Sequence, residues 1–181
     1  VARNEFDPEK SRELLRKAGY AGEPIKLIVA NQYKQMCNYI QRKLKEVGLD
    51  VQVDAVSKSV HRKDMATFQA NFFLKNWTAD YPDPTNFYQL FYSNNFAPEN
   101  GPNYTHFNNK KYDQCFERLL EETNDSVKWS LCNQLEAILV EDAPIIPLFY
   151  DETVRFFSPR VTGIKANSMN QLDLSEVKMN N

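Results

Sequence analysis

The first 77 residues alternate between segments with helical spacing and short apolar segments typical of buried strands. The first helix is well marked, because Asp7 is a candidate N-cap, Pro8 occupies the first helical position and Gly19 supplies a stop. The strand patterns lie at residues 25–30, 49–56 and 71–77. This alternation predicts an α/β fold with one mainly parallel sheet, right-handed crossovers and helices on both faces.

Beyond residue 77 the pattern changes. A short apolar segment at 87–92 leads into a loop rich in Asn, Pro and Gly at 93–109. Two helical patterns with apolar stripes come next, and their break at Asn124 and Asp125 predicts an antiparallel helical hairpin. Residues 144–150 (PIIPLFY) predict a short strand at an edge, because proline cannot donate to a ladder. From residue 151 onward the chain is strand-like but weakly patterned.

Composition excludes several classes of protein. With 181 residues, 42% hydrophobic and 25% charged, the chain can form a globular domain with a real core. The net charge is −2 and no long Lys/Arg cluster is present, so nothing indicates nucleic-acid binding. No apolar run approaches the ~20 residues that a membrane-spanning helix needs.

No enzyme or metal motif is present. The sequence lacks a P-loop, GxGxxG, HExxH, GxSxG or CxxC, and its five glycines argue against a phosphate-binding loop. His61 and His106 are interpreted as ordinary surface or loop histidines, without carboxylates at metal-ligand spacing. Cys37, Cys115 and Cys132 are interpreted as small buried hydrophobic residues. A disulfide between Cys115 and Cys132 across the hairpin is an alternative. We predict no catalytic residue, metal or cofactor.

The segment NWTADYPDPTNF, residues 76–87, is the strongest candidate for a functional site. It directly succeeds the third strand pattern, where α/β sheets place their ligands. Asp83 followed by Pro84 suits a helix cap, which leaves Trp77 and Asp80 without a structural role. A carboxylate beside an indole ring suits a ligand amine. The alternative is a stiff turn whose acids only cap the next helix.

Five segments, in order, resemble motifs of the oligopeptide/dipeptide-binding family of ABC-transporter extracellular solute-binding proteins. That family is family 5, with the type II periplasmic-binding-protein fold. The matching segments are FDPEKSRELLRKAGY, IQRKLKEVGLDV, NWTADYPDPTNF, FNNKKYDQCFERLLEETN and LCNQLEAILVEDAPIIPLFY. The resemblance covers nearly the full length of the chain and is more specific than any single motif.

The resemblance implies a two-lobed receptor that closes around its ligand without catalysis. Residues 1–150 would form the C-terminal ligand-binding lobe, and residues 151–181 would be strands that cross back toward the other lobe. Because the chain begins without Met, we interpret it as an excised fragment. The parent would be a monomer that delivers oligopeptides or dipeptides to an ABC permease. It would lie at the periplasmic or extracellular face, with any lipid anchor outside these residues.

The resemblance also assigns candidate ligand-binding residues. The Asp of the family's WxAD motif pairs with the peptide amine, which points to Asp80, while Trp77 matches the tryptophan that lines the pocket. The full set of predicted ligand-binding residues is Asp80, Trp77, Asn76, Tyr81 and Asn103. Asn76 replaces the usual Gly, which affects pocket shape.

Other functions remain open at this point. The family also contains receptors for sugars, nickel chelates and other solutes. An α/β hydrolase-like enzyme domain and an interaction module without a small-molecule site are alternatives from other classes.

Overall fold

The computed structural model describes residues 5–99, 101–167 and 169–180. Most of its regular structure lies between residues 8 and 142. The helices are α1 (Pro8–Lys17), α2 (Lys34–Glu46), α3 (Lys58–Ala66), α4 (Thr85–Tyr88), α5 (Lys110–Glu121) and α6 (Asp125–Asp142). The strands are β1 (Ile25–Ala30), β2 (Val51–Val56), β3 (Val161–Thr162) and β4 (Lys178–Met179).

The sheet is parallel, as the alternating pattern predicts. β1 pairs with β2 in register from Ile25 opposite Val51 to Ala30 opposite Val56. On the other side of β1, the chain at residues 72–74 runs parallel to it through a single bridge between Ile28 and Phe73. The Ile28 N–H donates to the Phe72 carbonyl at 2.9 Å.

The predicted third strand at 71–77 is therefore shorter than expected. It contacts β1 over residues 72–74 and forms no continuous ladder. The residues that follow this contact, Lys75, Asn76 and Trp77, line a cavity and make no backbone hydrogen bond to β1 in the described structure.

Helices cover both faces of this sheet, as predicted. On one face α2 packs over a cluster of buried residues, namely Leu27, Val29, Cys37 and Val51. On the other face α3 and the chain after it bury a second cluster, namely Ile28, Met65 and Ala70. The alternation of Leu27 and Val29 against Ile28 is the period-two pattern of a strand buried on both sides.

The predicted helical hairpin forms the second core. Residues 122–124 join α5 to α6, and the two helices pack together with Tyr88 and Phe91. Tyr112 and Leu135 are completely buried there. Cys115 and Cys132 are buried free thiols, so no disulfide joins them. Burial raises the pKa of both thiols.

The prediction of a strand at residues 144–150 is wrong. This segment has no regular structure, and its side chains include some of the most exposed large hydrophobic groups in the described chain, such as Ile146 and Tyr150. A strand needs a partner for its backbone, and Pro144 and Pro147 also remove two donors. Beyond residue 150 the only strands in the described ranges are β3 and β4, a two-residue antiparallel pair.

Among the described residues, no helix combines the length and the apolar character needed to cross a membrane.

Candidate functional site

A cavity of about 670 Å³ lies at the carboxyl end of β1. Its walls come from Ala30 at the end of that strand, one face of α3, residues 74–77, and Gly101, Pro102 and Tyr104. This is the edge at which parallel sheets place their ligands, because crossover connections leave a crevice there. The position agrees with the one expected from the sequence pattern.

Trp77 is held in the cavity wall by a hydrogen bond from farther along the chain. Its Nε1–H donates to Oδ1 of Asn86 at 2.7 Å. Asn86 is completely buried in α4, and its Nδ2 has no protein partner in the described part of the chain. The indole is half-buried, so its edge is fixed while part of the ring remains available to the cavity. Asn86 was not predicted as a site residue from the sequence, although it lies within the candidate segment 76–87.

Asp80 and Asp83 have different environments although they lie only three positions apart. Asp80 lines the cavity, is exposed and makes no hydrogen bond or ion pair with any described residue. Asp83 accepts hydrogen bonds from the Thr85 backbone N–H at 2.9 Å and from its hydroxyl at 2.6 Å. These bonds lower the pKa of Asp83. Asp83 thus bonds to the first N–H of α4, as the predicted cap would, although the N-cap position of this helix is Pro84. Asp80 has no such partner among the described residues.

Of the remaining predicted site residues, one lines the cavity and two do not. Asn76 lines the cavity beside Trp77 and Asp80. Tyr81 lies outside the cavity lining, with its ring 43% exposed and its hydroxyl 3.4 Å from the hydroxyl of Thr85. The structure thus brings Asn76, Trp77 and Asp80 together and leaves Tyr81 at the margin.

Asn103 also lies outside the cavity lining and is completely buried. Its Nδ2 donates to the carbonyls of Tyr92 and Phe107, both at 3.0 Å. Its Oδ1 accepts from the Thr105 hydroxyl at 3.0 Å. This amide ties together the loop after α4, because its donors and acceptor all have partners within the protein.

The cavity lining also contains three cationic side chains, which were not predicted from the sequence. We define the basic wall as Lys58, Arg62 and Lys75, which all line the cavity. The Lys75 ammonium lies 3.8 Å from the centroid of the Tyr104 ring, a cation–π contact that positions it. Partial burial and the positive charge of Arg62 lower the pKa of Lys75. The sequence did contain one indication of this wall. Residues 58, 61, 62 and 65 are spaced so that they lie on one face of α3, and all four line the cavity.

His61 is not the surface or loop histidine that the sequence suggested. It lies on the inward face of α3, is only 7% exposed and lines the cavity. Burial lowers the pKa of His61, so the imidazole is neutral at pH 7. His106 does lie in a loop, with a positive φ of 59°.

No group of three or more His, Cys, Asp or Glu side chains is placed to hold a metal ion within residues 5–99, 101–167 and 169–180.

Comparison with known proteins identifies the family. Residues 1–99 match the sequence model of the bacterial extracellular solute-binding proteins, family 5 (middle region). The chain belongs to this family. It is 30% identical over 144 residues to the dipeptide-binding protein DppE of Bacillus subtilis (strain 168), covering 79% of this chain and 26% of that protein. It is 26% identical over 167 residues to heme-binding protein A of Haemophilus influenzae, covering 87% of this chain and 30% of that protein.

Comparison with solved structures identifies the fold. The chain aligns over 99% of its length with the periplasmic binding protein DppA from Helicobacter pylori in complex with the peptide STSA, with a TM-score of 0.82 and 21% identity. It aligns over 99% of its length with CtaP from Listeria monocytogenes, with a TM-score of 0.86 and 19% identity. The alignments cover 36% and 38% of those chains. They confirm the α/β, type II periplasmic-binding-protein fold, and this chain spans about a third of such a protein.

Proposed function

We propose that this chain forms most of one lobe of a two-lobed receptor, the substrate-binding component of an ABC importer for oligopeptides or dipeptides. The observation that carries the proposal is the pair of Asp80 and Trp77 in one cavity at the sheet edge. The carboxylate is exposed and without a protein partner in the described chain, and the indole beside it is fixed in position. Relatives that are dipeptide-binding proteins, in Bacillus subtilis and Pseudomonas aeruginosa, support the same ligand class.

In the proposed mechanism, Asp80 accepts charge-assisted hydrogen bonds from the cationic amino terminus of the peptide. Such bonds are roughly twice as strong as those between neutral groups. Trp77 offers a flat apolar wall to the first residue, and the exposed amide of Asn76 lies beside it. The cavity is open on one side, which suits a receptor whose second lobe closes over the ligand and excludes water.

Other parts of the proposal concern the longer receptor. Residues 1–150 would form the ligand-binding lobe, and residues 151–181 would cross back toward the other lobe. Exposed apolar side chains near this boundary, Ile146 and Phe149 before it and Phe156 after it, suit such a contact. We place the receptor at the periplasmic or extracellular face as a monomer that docks on a permease, with any lipid anchor outside this chain. Its role is binding without catalysis.

A receptor for a non-peptide solute is the second candidate. The observation in its favour is the similarity to heme-binding protein A of Haemophilus influenzae, which extends over 87% of this chain. Both candidates use the same cavity and differ in what the cavity holds.

Native mass spectrometry of the full-length receptor, purified without denaturation, tests the proposal. We expect ligand masses that correspond to short peptides and that disappear when the receptor is unfolded and refolded. Recovery of a heme, sugar or metal chelate in their place would contradict the peptide assignment and favour the second candidate.

A further inference from the structure

The cavity has an unbalanced charge although the chain as a whole is slightly acidic, with a net charge of −2. Three of its lining side chains are cationic at neutral pH, the basic wall of Lys58, Arg62 and Lys75. One lining side chain, Asp80, is anionic. His61 adds no charge, because burial lowers its pKa.

No side chain of the basic wall forms an ion pair within 4.0 Å with another described residue. The ion pairs found within 4.0 Å among the described residues involve Arg12, Lys17, Lys43 and Lys165, and none of these belongs to the basic wall. Lys75 is held against the face of Tyr104 instead of a carboxylate. The positive charge of Arg62 also contributes to the lowered pKa of Lys75, so the two cations are close enough to repel each other. The repulsion between these two cations would decrease if an anion bound beside them.

A zwitterionic peptide does not supply enough negative charge. Its amino terminus would pair with Asp80, and its carboxyl terminus would compensate one cation of the basic wall. The other two cations of the basic wall are exposed in this chain, but under the proposed closure of the receptor they would be removed from water without a partner from this lobe, and unpaired buried charges are costly. A ligand with a further carboxylate removes part of this cost.

We infer that the cavity prefers acidic peptides, whose additional side-chain carboxylate binds between Arg62 and Lys75; this inference rests on the proposed peptide-receptor function. A carboxylate matches the chemistry of both groups. The planar guanidinium of Arg62 can donate two parallel hydrogen bonds, and the Lys75 ammonium acts as a compact charge whose position the Tyr104 ring fixes.

The test compares two peptides that differ in a single charge. Calorimetry with the full-length receptor would measure the Kd of Ala-Glu-Ala and of its neutral isostere Ala-Gln-Ala. We expect Ala-Glu-Ala to bind about tenfold more tightly, which corresponds to about 1.4 kcal/mol. The ratio should shrink at 1 M salt, because the Debye length then falls to about 3 Å.

Matched variants locate the preference. Arg62→Gln and Lys75→Gln should each lower the ratio of the two Kd values to about threefold or less, because only Ala-Glu-Ala loses a contact with its side chain. The ratio is the readout, since the carboxyl terminus that both peptides share can also lose a contact in either variant. Lys63→Gln is the control, because Lys63 lies on the same helix, is exposed and is absent from the cavity lining. It should leave the ratio unchanged.

The outcomes separate the inference from the function on which it rests. Equal affinity for the two peptides, or a ratio unaffected by both cavity variants, would overturn the preference while the peptide-receptor function stands. If neither peptide binds and a mixed pool of free-amine peptides also fails to bind, the proposed function is wrong and the preference is rejected with it.

Discussion

At the scale of single residues, the site depends on which acids already have partners in the folded chain. Asp83 is engaged by Thr85, with both the backbone N–H and the hydroxyl bound to one carboxylate oxygen. Asp80 lines the cavity and has no such partner among the described residues. Two chemically identical side chains in one turn therefore differ in their partners, since Asp83 bonds to Thr85 at the start of α4 and Asp80 stays available for the proposed contact with a ligand.

Replacing each acid in turn should separate these tasks. In the full-length receptor, Asp80→Ala should weaken binding of free-amine peptides by about two to three decades, because truncating one partner of a buried charge pair costs about 2–5 kcal/mol. Asp83→Ala should cost about 1 kcal/mol of stability and hardly change affinity, because it removes only a cap. Calorimetry and urea unfolding measure the two effects.

N-acetylated peptide supplies the control for Asp80. It lacks the cationic amine and should bind weakly to wild type and to Asp80→Ala alike. Wild-type affinity of Asp80→Ala for free-amine peptides would show that Asp80 is not the amine anchor and would favour a non-peptide solute.

Asn86 offers a second prediction at this scale. Asn86→Leu keeps the side chain at a similar size but leaves the Trp77 Nε1–H without its acceptor, so we expect a loss of about 1–3 kcal/mol in the free energy of unfolding. The indole should also become more mobile, with a red-shifted fluorescence emission. Because Trp129 is 66% exposed and would contribute a background signal, the emission should be measured in a Trp129→Phe background. An unchanged spectrum would mean that Asn86 does not position the ring.

At the scale of helices and strands, the features predicted correctly include those that depend on residues close together in the sequence. Asp7 accepts a hydrogen bond from the Lys10 N–H at 2.9 Å, as its place before Pro8 implied, and α1 begins there. The helix pattern of residues 34–46 and the strand pattern of residues 25–30 were found because their apolar spacing repeats within a few residues.

Two features that depend on distant parts of the chain were not predicted correctly. The segment at 144–150 is apolar enough for a strand but pairs with no described part of this chain. The basic wall escaped notice because Arg62 and Lys75 lie on different segments, a helix and a loop, which only the fold brings to one cavity. The fold class and three of the cavity residues could be predicted from sequence, whereas the basic wall was recognised only in the tertiary structure.

The start of α4 carries a pH-dependent contribution to stability. Hydrogen bonds from Thr85 lower the pKa of Asp83 from its ordinary value of 3.8. The stabilisation is therefore present above the unfolded-state pKa and is lost as pH falls through the lower folded-state pKa. Wild type should exceed Asp83→Asn in stability at pH 7, and the difference should vanish at the acid end. This difference in the free energy of unfolding can be measured by urea unfolding of both proteins. The measurements should run from pH 7 down to values below the ordinary pKa of Asp83. A difference that stays constant with pH would contradict a role for the charge.

At the scale of the whole molecule, this chain has a well-packed core and an unpartnered surface. The cores beneath the sheet and within the helical hairpin contain fully buried side chains such as Val29 and Leu135. In contrast, Ile146, Tyr150 and Phe156 expose most of their area. The chain also spans only about a third of the proteins that share its fold. These facts agree with a lobe whose ligand contacts and apolar surface are both completed by the rest of a longer receptor.

The 181-residue chain by itself should consequently bind peptide weakly. A ligand held by one lobe makes part of its contacts but still loses its translational and rotational freedom, a cost estimated at about 4–15 kcal/mol. We expect calorimetry with a pool of free-amine tri- to pentapeptides to give a Kd of about 1 mM or weaker for this chain, against tight binding by the full-length receptor. Asp80→Ala in the short chain is the matched control and should change little, because its charge pair would stay open to water, where such pairs contribute only about 0–1 kcal/mol. Micromolar binding by the short chain that is lost in Asp80→Ala would show instead that one lobe is a complete site and would refute the two-lobed mechanism.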